Sequence, residues 1–244
     1  FLNWRAPKPA DAVAAAAWRG AADRLYAVGA PRLDEAQACA VFEALGIEGP
    51  GSRIVTAPEE ATGFSGPVAV KLLSPDILHK TDAGLVRLNI EGDAAIGATV
   101  AELLAIAREK FPQAVVKGVL VAPMHRGLAE VILGYRRDPE VGPVVMLGMG
   151  GVLAELKRSY CVRLAPVSEA TAMEMIAELP ELKLIQGFRN LPRGDVAALA
   201  RAIPSISLLA CLDGAAVQEA EINPLIIRAE GQGAVAVDGL IALG

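Results

Sequence analysis

One stretch constrains this chain more than any other: residues 66–89, GPVAVKLLSPDILHKTDAGLVRLN. A buried-strand run, Val68-Ala69-Val70, ends in Lys71, and a polar loop runs from Ser74 to Asp82. Gly84 then leads into a second strand, Leu85-Val86-Arg87-Leu88. A lysine carried on a strand beside a glycine-containing loop can hold a polyphosphate, because the ammonium supplies a point charge and the loop N–H groups supply donors. Taken alone, such a lysine is more often a solvated edge charge, and a lone His79 is more often structural. The balance shifts with a second stretch, Glu221-Ile222-Asn223-Pro224-Leu225, and with Asp238 beyond it. Together the two read as places for nucleotide phosphates and for a divalent metal.

A chain of 244 residues makes one large domain or two small ones, with ample core. Hydrophobic residues are 53% and charged residues 21%, a globular profile. The net charge of −5 argues against a nucleic-acid binder. An acidic protein that binds ATP must concentrate positive charge locally or recruit a metal. Cys39, Cys161 and Cys211 are far apart, with no CxxC, and read as small buried apolar residues. No disulfide framework is needed, so a reducing cytoplasm fits. No apolar run reaches the length of a membrane span. Ala12–Ala17 is soon followed by Arg19, Asp23 and Arg24, and reads as an ordinary helix, not a signal peptide. The chain opens on Phe1 instead of Met and is expected to be an excised domain or to lack its first residues.

The pattern along the chain is mixed helix and strand. An Ala-rich helix over 10–28 precedes a better one over 34–45, with Leu33, Ala36, Cys39-Ala40 and Phe42-Glu43 at helical spacing and Gly46 as its stop. A short strand follows over 53–56. A helix over 93–110 shows an apolar face of Ile96, Val100, Leu103-Leu104 and Ala107. Strand 117–121 comes next, then strands near 128–134, 144–147 and 160–164. Gly148-Met149-Gly150-Gly151 can cradle phosphate or pack tightly against a neighbour. Glu155 and Arg163 fit a cross-strand ion pair. Ser168 caps a helix over 168–178, another begins at Asp195, and the last strands cover 217–222 and 235–237.

Glu221-x-Asn223 puts a carboxylate and an amide on one face of a strand, since the strand period is two. Both are hard ligands suited to Mg2+, and Asp238 can add a second carboxylate. The competing reading is a polar strand rim followed by a Pro turn.

Three long motifs occur in order: KLLSPDILHKTDAGLV, EVILGYRRDPEVGPVVMLGMGG, and EINPL followed by AVDG. On these the chain resembles, over Arg32–Leu243, the ATP-grasp domain of the NDP-forming acyl-CoA synthetases. That family includes the β subunit of ADP-forming acetyl-CoA synthetase and, more distantly, that of succinyl-CoA synthetase. The resemblance implies an α/β (α+β) ATP-grasp fold of two α/β subdomains with a nucleotide cleft between them. Residues 1–31 would be a linker and helix, about 57–116 a lid, and 32–56 with 117–244 the nucleotide and metal subdomain. The family usually has a fuller helix where this chain has only APEEATGFSG.

By the same resemblance His79 is a phosphohistidine that relays phosphate between the nucleotide and a CoA-ligase part. Lys71 neutralises phosphate charge, and Lys80 stabilises the phosphorylated His79. Gly84 belongs to the phosphate loop. Val121, Ala122 and Met124 form a hinge that offers backbone groups to adenine, and Glu130 serves the ribose or the metal. Asn223 and Asp238, with Glu221, hold magnesium. The implied cofactors are ATP (ADP) and Mg2+. The reaction is acid + CoA + ATP to acyl-CoA + ADP + phosphate, a ligase reaction. The implied setting is a cytoplasmic oligomer, with no membrane or nucleic acid. No Rossmann glycine motif is present, so a CoA-binding partner in cis or trans is expected. Two departures, Asp82-Ala83-Gly84-Leu85 where paired Gly is common and Arg189-Asn190 where Arg-Gly is common, leave open a second class. That class is a non-catalytic or regulatory ATP-grasp module of a fused acetyltransferase-type protein. A stand-alone carboxylate–amine ligase is a third reading, against which His79-Lys80 and GYRRDPEVGP speak.

Overall fold

The computed structural model describes residues 12–77, 80–151, 159–187, 189, 191–212 and 217–244. Their strands form two separate sheets, and the chain divides into two compact units accordingly. The smaller holds Asp34–Ala36 and Pro50–His125, and the larger holds the rest.

The smaller unit carries β1 (Arg53–Val55), β2 (Val68–Leu73), β3 (Val86–Ile90) and β4 (Gly118–Pro123), in the order β1-β4-β2-β3. Every pairing among them is antiparallel. Alternation along β2 and β4 gives the sheet two faces. Val68, Val70, Leu72, Val119 and Val121 join a core with Ile96, Val100, Leu103 and Ala107, which lie on the helix Asp93–Lys110. Ala69, Lys71, Leu73, Leu120 and Ala122 take the opposite parity. β2 runs through Lys71 to Leu73 with all six residues buried, so the lysine is mid-strand and not at the edge. Because β1 and β4 pair into this same sheet, the unit reaches from 50 to 125, wider than the expected 57–116.

The short segment APEEATGFSG replaces a helix with a single 3-10 turn, Pro58–Glu60. The turn lies so close to the long helix that a Cβ on Gly97 would stand 3.1 Å from the Pro58 carbonyl oxygen. The Thr56 amide donates to the Glu60 carboxylate at 2.7 Å and holds its carboxyl below the usual value. The Arg53 guanidinium sits 4.1 Å over the Phe64 ring.

The larger unit carries β5 (Ala129–Asp138), β6 (Gly142–Met149), β7 (Tyr160–Leu164), β8 (Val217–Ile227), β9 (Ala234–Ala236) and β10 (Gly239–Leu243). The order is β10-β8-β5-β6-β7, with β9 also on β8, again all antiparallel. The register lines up Ile222, Leu133, Leu147 and Cys161 as one buried row. The next row, Glu221, Gly134, Met146 and Val162, lies on the other face. Among the described residues the α-helices are α1 (Ala12–Tyr26), α2 (Glu35–Ala44), α4 (Glu169–Glu178) and α5 (Val196–Ser207), with α3 the Asp93–Lys110 helix of the smaller unit. Ala21, Ala22 and Leu25 of α1 sit in the larger core, so α1 packs as part of that unit.

Ser168 caps α4 by accepting from the Thr171 amide. Asp195 caps α5 and also accepts from the Gly233 amide, each at 2.9 Å. Burial raises its pKa, but the amides of Ala198, Gly233 and Gly231 more than offset this and keep the carboxyl below its ordinary value. Helix α5 runs through Pro204. Burial pushes the Cys161 and Cys211 thiols up, and all three cysteines are buried thiols. No helix among the described residues is long and apolar enough to cross a membrane.

Candidate functional site

In the smaller unit the site begins with a charge where none is expected. The residues of α2 that turn inward are Glu35, Ala38, Cys39, Val41 and Phe42. The apolar stripe read from Leu33, Ala36 and Cys39-Ala40 is thus rotated, and it begins with a glutamate. Glu35 lies in the short segment Asp34–Ala36, which belongs with the smaller unit. Its Oε1 stands 2.6 Å from Lys71 Nζ. Its Oε2 stands 3.8 Å from Lys80 Nζ. Side-chain exposure is 7% for Glu35, 11% for Lys71 and 19% for Lys80, so the cluster is largely withdrawn from water. Asp34 beside it pairs with Lys117 at 2.6 Å. Sequence reasoning missed Glu35, which is 36 residues from Lys71. A glutamate at i of a buried i, i+3, i+4, i+7 stripe was the available signal, because a carboxylate there needs a partner.

The loop around Gly84 is a closed turn. The Gly84 amide donates to Thr81 O at 3.0 Å and the Leu85 amide to Lys80 O at 2.8 Å. Gly84 has φ 69, a conformation that favours glycine. Its carbonyl accepts from Arg87 Nη1 at 2.8 Å. The expected supply of loop N–H donors is therefore reduced, since these two amides are already engaged. What the loop does provide is Lys80, held beside Glu35. His79 lies outside the described residues, as do Glu155 and Asn190.

The residues expected to form a hinge lie next to Lys71 in the ladder. Val70 pairs with Val121 and Ala69 with Ala122. The Val121 side chain is in the core, so only its backbone is open to a ligand on the lysine's face. β1 ends at Arg53 opposite Val121, which leaves Ala122 and Pro123 with a strand neighbour only on the β2 side. The Met124 amide donates to Pro67 O at 2.9 Å and is not free for a base. A purine edge would have to use the groups just before it.

In the larger unit the predicted metal residues gather at a break in a ladder. β10 pairs with β8 up to Ile222, and β9 pairs from Leu225 onward. Between them Val237 and Asp238 lie opposite Asn223 and Pro224, where the Asn223 amide donates to Asp238 O at 3.1 Å. Such an interruption re-aims side chains that a regular strand would alternate. Asn223 Nδ2 donates to Glu221 Oε1 at 3.2 Å, so both side chains reach one point and the amide oxygen turns away from the carboxylate. Asp238 Oδ1 accepts from the Gly239 amide at 2.8 Å. Opposite Glu221 in the register is Gly134, which carries no side chain to fill the face beside it. Among the described residues no three His, Cys, Asp or Glu side chains form a metal cluster. A carboxylate with an amide oxygen fits a hard cation that keeps waters and shares phosphate oxygens, as Mg2+ does.

Glu130 is exposed on β5, with Val131 buried beside it. The Gly150 amide donates to Glu130 O at 2.8 Å. A Cβ on Gly151, whose φ is +61, would stand 2.8 Å from Glu130 Oε2. The glycine cluster thus packs closely on Glu130. Arg163 pairs with Glu178 of α4.

The ATP-grasp domain family model matches residues 24–243. The β subunit of acetate–CoA ligase [ADP-forming] II from Pyrococcus furiosus is 33% identical over 225 residues, covering 91% of this chain and 95% of that subunit. The 4-hydroxybutyrate–CoA ligase [ADP-forming] of Nitrosopumilus maritimus is 34% identical over 217 residues. There the match covers 87% of this chain but only 31% of that ligase. An acetyl-coenzyme A synthetase 1 structure from Ca. Korarchaeum cryptofilum, in complex with coenzyme A and Mg-AMPPCP, superimposes with a TM-score of 0.76. It is 29% identical and covers 93% of this chain and all of that one. The chain belongs to the ATP-grasp family, in the group that includes the β subunits of the ADP-forming acyl-CoA synthetases.

Proposed function

We propose that this chain is the nucleotide-binding part of an ADP-forming acyl-CoA synthetase, catalysing acid + CoA + ATP to acyl-CoA + ADP + phosphate together with a CoA-binding partner. The observation that carries the reading is the near end-to-end match to a chain that is itself the separate β subunit of such a ligase. The relative solved with coenzyme A and Mg-AMPPCP has a phosphohistidine segment that points towards its nucleotide-binding site, which supports a relay. In this chain Lys71 and Lys80 take phosphate charge, Ala122 and the backbone around it meet the base, and Glu130 reaches the ribose or metal. Glu221, Asn223 and Asp238 hold the cation. A bound Mg2+ would neutralise phosphate charge and order the phosphate oxygens.

His79 is the phosphoryl acceptor. A neutral ring nitrogen attacks the transferred phosphorus, the bond to the leaving oxygen breaks, and the phosphoramidate passes the group on in either direction. The segment about 57–116 serves as the lid, which excludes water during transfer. The protein works in the cytoplasm as an oligomer with its partner.

Incubation with γ-labelled ATP and Mg2+ tests this. The expected result is acid-labile, base-stable label on His79, lost in His79→Ala and discharged by the CoA-binding partner with CoA and acid. Nucleotide binding without any such label would instead favour a non-catalytic module.

A further inference from the structure

We infer that Glu35 is a positioning residue for nucleotide phosphate, holding the Lys71 and Lys80 ammonium groups side by side where the phosphates are received. The inference rests on the reading of Lys71 and Lys80 given above. Lys71 lies on β2, whose six residues are all buried, and its Nζ is 2.6 Å from Glu35 Oε1. The second oxygen of the same carboxylate stands 3.8 Å from Lys80 Nζ. One buried carboxylate thus addresses two lysines that arrive from different parts of the chain, one mid-strand and one at the turn that starts the Lys80–Leu85 hydrogen bond.

Two ammonium groups so close would repel each other without an anion between them. A buried lysine without a counter-ion would also lose much of the advantage of its charge. Glu35 answers both needs, and an ammonium has three donors, so Lys71 can keep the carboxylate and still reach a phosphate oxygen. A strand lysine set by a helix glutamate is also how protein kinases place the lysine that reads nucleotide phosphates. Pre-setting both groups removes an ordering cost that would otherwise fall on ligand binding. The role predicts a specific signature, because Glu35 should matter for phosphate and not for the base.

The test is the affinity of the full chain for ATP with Mg2+ and for adenosine, in wild type, Glu35→Gln and Glu35→Asp. Glu35→Gln should weaken ATP about tenfold while leaving adenosine within about twofold, so that the ratio of the two affinities falls. Glu35→Asp keeps the charge at a shorter reach and should recover part of the ratio. If Glu35→Gln does not fold, Glu35→Asp alone decides, with an expected ATP loss of a few fold. A variant whose ATP-to-adenosine ratio equals that of wild type overturns the inference, as does a parallel loss of both ligands. Wild-type protein that binds neither ligand removes the site reading and the inference with it.

Discussion

The two units meet the same problem, a charged group on a sheet, in opposite ways. In the smaller unit the charges are buried and already compensated, Lys71 against Glu35 at 2.6 Å. In the larger unit Glu221 and Asn223 lie on the open face of the sheet, at a break in the β8 ladder, and are joined to each other at 3.2 Å. A buried pair is costly to break by removing one partner. An exposed acid–amide pair contributes little to folding and is available to a cation. The comparison separates a charge that the fold must compensate in advance from one that it leaves open.

The most severe way to break this contrast is Lys71→Met, which strands Glu35 in the interior. Unfolding stability should fall by about 3–5 kcal/mol, nearer the lower figure because Lys80 remains close. Denaturant unfolding measures it. The double variant Glu35→Leu with Lys71→Met should regain most of that loss, and a double variant no better than the single one would show that charge burial is not the cause. Asp195→Ala, in the larger unit, should cost about 1–2 kcal/mol through the lost α5 cap. Its carboxyl lies below the ordinary value when folded. The stability it contributes is therefore present at neutral pH, above the unfolded value near 3.9, and is lost as pH falls through the folded value. The Asp195→Ala penalty should accordingly shrink in acid. Arg87→Ala removes the part-exposed pair with Glu102 and should cost about 0.2–1 kcal/mol. The smallest stability effect belongs to Asn223→Ala, within about 0.5 kcal/mol, although Mg2+-dependent nucleotide binding should suffer.

How far these regions can be read from the sequence follows the same divide. The β2 run and the helix Asp93–Lys110 are legible because their apolar residues repeat at periods of two and 3.6. Ser168 and Asp195 announce their caps by residue type. Glu221-x-Asn223 is legible because both residues sit two apart on one strand. The burial of Lys71 is not legible, because the apolar run reads as ending at it while the strand continues to Leu73. Glu35 was not readable as its partner, because a contact over 36 residues leaves no local period. The extent of the smaller sheet is hidden for a similar reason. Strands β1 and β4 are short and unremarkable in sequence, and only their pairing assigns them to the smaller sheet. The engaged Met124 and Gly84 amides were likewise invisible, because backbone partners depend on the turn geometry and not on side-chain identity.

The most direct measurement is a calorimetric titration with ATP, with and without Mg2+, of the wild type, Lys71→Met and Asn223→Ala. The account predicts one nucleotide bound per chain in the wild type, weakened by Lys71→Met whether or not Mg2+ is present, and weakened by Asn223→Ala only when Mg2+ is present. ATP bound equally well by both variants in both conditions would contradict it.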